Sequence, residues 1–190
     1  MNIRHALSAS CLMLASAVAS APHDHRPAPT SPYAGEESRA IKALSAERVE
    51  QLLAGEGLGY AKAAELNGHP GPAHVLQWAQ ALRLSPAQRQ ATERLMQRHK
   101  ERARELGREL VEAERRLDQA LRHAGPEPAS IARLVEAAGR VEAALRAEHL
   151  ATHLAQTAIL TREQISHYHR LRGYAPRGQD PKEKGHSHVE

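Results

Sequence analysis

What this chain has little of narrows its class before any motif is read. Its 190 residues include no phenylalanine, one tryptophan and four tyrosines, a supply too small for a sheet core or for stacking nucleic-acid bases. The single cysteine, Cys11, lies near the start, so the rest of the chain has no thiol for a disulfide, a Cys-ligated metal or a nucleophile. No segment is apolar for the about 20 residues that a membrane-crossing helix needs, and stable membrane insertion is not expected. Gly55-Glu56-Gly57-Leu58-Gly59 superficially looks like a phosphate loop. No strand is indicated before it and no Gly-Lys-Ser/Thr follows, so it reads as a helix break. There is no H-E-x-x-H, no nucleophile elbow and no defensible carboxylate pair. The expectation is a binding protein rather than an enzyme, with no cofactor required.

Alanine, leucine, glutamate, arginine and glutamine are abundant instead, a composition of long helices. Arg4, the apolar run Ala6 to Val18 and the small residues Ala17, Ala19 and Ala21 together read as a secretory signal peptide. The A-x-A rule places cleavage after Ala19 and makes residues 1–19 the leader. Residues 20–44 are rich in Pro, His and Ser without apolar periodicity, and read as a disordered arm. Residues 175–190 read as a disordered, His-containing tail. Residues 45–174 form the expected folded part, all-α.

Within it, Ser45 caps a helix over Ala46 to Ala54 that Gly55 stops, and a second runs from Tyr60 to Leu66. Pro72 opens a third, reaching about Leu82. The longest follows Ser85-Pro86-Ala87-Gln88, a capping box with proline at the first helical position, and ends at His123 before Gly125-Pro126. Its apolar positions Met96, Ala103, Leu106, Leu110, Ala113, Leu117 and Ala120 recur in steps of three and four, with His99 filling the one gap. A second long helix starts at Ser130, with Ile131, Leu134, Val135, Ala138, Val141 and Leu145 in one stripe, and runs to Ile159. Two such helices joined by a short Gly/Pro turn predict an antiparallel hairpin with shorter helices flanking it. Thr161 and Gln164 form another capping box, with Leu160 stapling against Ile165, for a last helix to Leu171.

The pattern Leu-Ser/Thr-x-x-Gln thus occurs twice, at Leu84, Ser85 and Gln88 and at Leu160, Thr161 and Gln164, each time opening a helix. With the export signal, this pair resembles the LTxxQ signature of the Spy/CpxP family; the first copy has Ser85 where the signature has Thr. Ala63-Ala64-Glu65-Leu66-Asn67-Gly68 leading to Gly71-Pro72, His149-Leu150-x-x-His153-Leu154 and Leu171-Arg172-Gly173-Tyr174 are similar to its metal-resistance branch. The resemblance covers roughly Ser45 to Tyr174. It implies a periplasmic stress protein that holds unfolded clients without ATP, and a homodimer shaped as a cradle. It also implies partners such as unfolded periplasmic proteins or a membrane sensor protein, and, as an alternative role, heavy-metal sensing or sequestration.

Two sets of residues could carry such functions. Arg89, Arg94, Arg98, Lys100, Arg102 and Arg104 make one helix basic beside an apolar face, which suits acidic protein surfaces or anionic lipid; an exported protein meets little nucleic acid. His149 and His153 stand four apart, so a helix stacks both imidazoles on one side, within reach of one divalent zinc, nickel, cobalt or copper ion. Glu148 or His99 could add a third ligand. The same spacing suits core-edge histidines bonded to nearby backbone or carboxylates. His23 and His25, and His186 and His188, are weaker pairs near the termini, and His167 and His169 read as surface residues.

Overall fold

The structure, a computed structural model, describes residues 30–123 and 125–174. Residues 1–19, expected as a signal peptide, most of the expected arm with His23 and His25, and the expected tail with His186 and His188 fall outside these residues. Met1–Ala34 and Gly35–Glu190 are two units. Of the first, residues 30–34 are described, with the Ala34 amide donating to the Ser31 carbonyl at 3.0 Å. All that follows concerns the second.

That unit is helical. After a single 3-10 turn at Glu36–Ser38 come α1 (Ala46–Ala54), α2 (Lys62–Leu66), α3 (Pro72–Gln77), α4 (Pro86–Arg122), α5 (Pro128–Ile159) and α6 (Arg162–Leu171), with no strand among the described residues. The start of α1 is fixed by the Ser45 hydroxyl, which accepts the Arg48 amide, and its end by Gly55 at φ 66°, a backbone state that an L side chain resists. α4 and α6 begin with complete capping boxes: Ser85 with Gln88, and Thr161 with Gln164. Three expected boundaries move. α2 starts at Lys62 and not at Tyr60, because turns precede it in which the Tyr60 and Lys62 amides donate to the Gly57 and Gly59 carbonyls at 2.9 and 3.1 Å. α5 starts at Pro128, because proline's fixed φ suits the first helical position, and Ser130 instead donates its hydroxyl to Glu127 at 2.6 Å. α3 stops at Gln77, after which turns carry the chain to Leu84 and Arg83 takes a left-handed φ of 49°.

The two long helices pack along one another. Their polar contacts climb α4 as they descend α5: Gln88 meets Ile159, Thr92 meets Gln156, and His99 meets Thr152 and Glu148. Leu106, Leu110 and Val111 of α4 are buried with Leu145 of α5, Leu52 of α1 and Ile41. Ile41 belongs to the segment expected as arm. Its burial, with the Lys42 amide donating to Asp118 at 3.0 Å, brings the start of the folded part forward of residue 45. Val135, assigned to the buried stripe of α5, is exposed; Ile131, Leu134, Ala138, Val141 and Leu145 already complete a three-four repeat, which turns its neighbour outward. A second cluster joins Val75, Leu82, Leu160 and Tyr168, with Trp78, Leu84 and Ile165 against it.

The repeated motif has a tertiary role as well as a capping one. Gln88 and Gln164 bond each other through both amides, at 2.8 and 3.0 Å. Each carbonyl also accepts its own cap amide, from Ser85 and Thr161. The remaining amide hydrogens reach the carbonyls of Ile159 and Leu82. Both glutamine side chains are therefore fully engaged, and they tie the N-termini of α4 and α6 together.

Candidate functional site

Four sequence stretches far apart in the chain meet around one cavity of about 630 Å³. The loop Gly55 to Gly59, α2 and the first residues of α3 cover a section of α4 and α5, and Arg172 and Tyr174 close the rim. Close approach is possible because Gly71 has no side chain: a Cβ there would lie 2.7 Å from Cε1 of His153.

The polar groups of the wall are largely used by one another. Nδ1 of His99 lies 3.1 Å from Oε1 of Glu148 and 3.0 Å from Oγ1 of Thr152, whose hydroxyl also donates to Glu148. A carboxylate only accepts, so His99 carries its proton on Nδ1. Nδ1 of His153 donates to the carbonyl of His69 at 2.9 Å. His69 in turn meets the Thr157 hydroxyl, which donates to the His153 carbonyl. Glu65 of α2 receives the hydroxyls of Tyr168 and Tyr174, each at 3.0 Å, and is paired with Arg172. Burial raises the Glu65 pKa, but the bonds from Tyr174, Tyr168 and Arg172 outweigh it and hold the carboxyl below its ordinary range.

His149 is the exception. It is 3% exposed, its ring stacks on Tyr60 and meets the edge of His99, and its Nε2 has no hydrogen-bond partner among the described residues. Burial, followed by the proximity of His99 and His153, pushes its pKa down to about 4, so the ring is neutral at pH 7. Burial also lowers His153.

Of the proposed ligands, His99, His149 and His153 line the cavity and Glu148 binds His99 behind it. Among the described residues, however, no three His, Cys, Asp or Glu side chains are grouped to hold an ion. His99 and His153 each have one ring nitrogen committed to a protein acceptor. The basic residues divide. Arg89, Arg94, Arg98, Arg102 and Arg104 are exposed on α4, Arg102 pairing with Glu105 and Arg104 donating to the Ala54 carbonyl, whereas Lys100 is half-buried in the cavity wall. His169, read as a surface residue, is half-buried beside Gly68 and has an unpartnered Nε2.

Sequence reasoning missed two features. One is the Glu65, Arg172 and Tyr174 web. The other is the outer side of α5, where Ala144, Ala147, Ala151, Leu154 and Ala158 are all exposed. They recur in steps of three and four, and the chain carries no Asp, Glu, Lys or Arg from His149 to Thr161, a run that could have signalled the strip. Among the described residues no helix is long and apolar enough to cross a membrane. Comparison with protein-family models, curated proteins and solved structures returned no match.

Proposed function

We propose that this protein is an exported, non-enzymatic, ATP-independent holder of unfolded or aggregation-prone proteins, working in the periplasm. The observation that carries this reading is the apolar strip Ala144, Ala147, Ala151, Leu154 and Ala158 on α5, exposed among the described residues. An exposed helical face of this kind binds apolar segments of varied sequence through many weak contacts. The cations of α4 supply long-range attraction, which acts chiefly on the rate of encounter. The two long helices constitute an antiparallel hairpin, and two copies pair into a cradle that presents the strip. Light scattering of a denatured client tests the reading: substoichiometric to equimolar protein should delay aggregation without nucleotide. Changing the exposed Arg89, Arg94 and Arg98 together to Gln should slow client capture at low salt. No delay by the wild type would reject client holding.

A second reading, a divalent transition metal held by His149 and His153, is favoured by the buried, unpartnered Nε2 of His149. An imidazole that stays neutral needs no proton removed before it coordinates. Calorimetric titration with zinc, nickel, cobalt and copper should then show a site that His149→Ala with His153→Ala removes. Equal affinity in both proteins would reject it.

A further inference from the structure

The cavity between the Gly55 to Gly59 loop, α2, α3 and the long helices is large enough for a small organic molecule, for which pockets of roughly 300–1,000 Å³ are usual. Its chemistry narrows the occupant. Leu58, Leu66, Pro72, Ala73 and Met96 give the wall an apolar character. Most of the polar groups that could recognise a sugar or a peptide backbone are engaged already, with Nε2 of His149 the exception. His99 and Thr152 bond each other and Glu148, Nδ1 of His153 bonds the His69 carbonyl, and a single oxygen of Glu65 takes three side chains. Among charged lining residues, Arg172 and Glu65 neutralise each other. Lys62, Lys100 and the exposed Glu56 remain, and neither lysine is paired with a carboxylate among the described residues.

We propose that this cavity binds a small amphiphilic monoanion, a carboxylate on an aliphatic or aromatic body, with the body on the apolar wall and the carboxylate toward Lys62 and Lys100. A cation would meet a net positive lining, and a strongly polar neutral molecule would find few free partners. The site is separate from the client-holding strip. His149, Thr152 and His153 turn one side of α5 to the cavity, and Ala151, Leu154 and Ala158 lie on another. Loss of either function therefore leaves the other measurable.

The test is calorimetric titration of the mature protein with decanoate, decanol and decyltrimethylammonium, below their micelle concentrations and with a chelator present so that metal cannot contribute. Decanoate should bind saturably at one site per chain, at least about tenfold tighter than either of the others. Lys100→Gln should weaken decanoate about tenfold, a value typical of a charge-assisted bond, and leave decanol unchanged. Ala73→Trp, a substitution of an exposed residue at the cavity edge, should abolish binding of both while circular dichroism and melting stay near wild type. If Lys100→Gln does not fold, Lys62→Gln takes its place. No saturable decanoate binding, decanoate and decanol of equal affinity, or binding unaffected by Ala73→Trp would each overturn the proposal.

Discussion

At the residue scale, Ser85, Thr161, Gln88 and Gln164 show how much a short motif can specify. Each hydroxyl satisfies a helix-start amide that would otherwise lack a partner. Ser85→Ala and Thr161→Ala should each destabilise the protein by on the order of 1 kcal/mol in thermal or denaturant melts. This capping was legible in sequence because its partners stand only three positions apart. The bond between the two glutamines was not, since it joins positions 76 apart and depends on the packing of α4, α5 and α6. A double-mutant cycle of Gln88→Ala and Gln164→Ala should give a coupling energy of about 0.5–3 kcal/mol, as for residues in one hydrogen-bond network; strict additivity would remove the tie.

His149 gives a second residue-scale prediction. Its folded pKa is pushed down to about 4 from an ordinary 6.5, so between those values the unfolded chain binds the proton and the folded one does not. The stability it contributes is fully present above pH 6.5 and falls as pH drops toward 4, by roughly 3 kcal/mol at most. In metal-free protein, urea midpoints between pH 7.5 and 4.5 should fall less steeply in His149→Leu than in wild type. Parallel slopes would show that the ring is not buried neutral.

At the element scale, two glycines within the long helices make opposite predictions. At Gly107 of α4 a Cβ would stand 2.1 Å from the carbonyl oxygen of Leu52, a backbone atom of α1 that cannot turn aside. Gly107→Ala should therefore separate α1 from α4 and destabilise, against the usual gain of about 1 kcal/mol for alanine in a helix. Gly139 of α5 meets nothing within 4 Å, and Gly139→Ala should realise that gain. Denaturant melts of the two variants should move in opposite directions. The same contrast explains which elements were legible. α1, α4 and α6 announce their starts through local caps, and the α4 stripe follows from its three-four repeat. Ile41 was missed because the largely apolar stretch Ala40 to Leu44 is too short to show a period, and its burial depends on α4.

At the scale of the whole folded unit, the cavity was the least legible feature. Glu65 and Arg172, 107 residues apart, become partners only when α2 and α6 both dock on the long helices, and Gly71 is required at its place only because the His153 ring lies against it. The sequence contained the four stretches without their meeting point. The α4 cations act at this scale too. Screening over about 10 Å at 0.1 M salt should slow client capture as salt rises, while leaving the final amount held nearly unchanged if the apolar strip supplies the affinity.

That strip is the centre of the functional reading, and replacing Ala151 and Leu154 together by glutamate tests it most directly. Both residues are exposed, so helicity by circular dichroism and the melting temperature should stay close to wild type. Protection of a denatured client, measured by light scattering at equal protein concentration, should be largely lost in the variant. A well-folded Ala151→Glu, Leu154→Glu protein that delays aggregation as effectively as wild type would contradict client holding by α5.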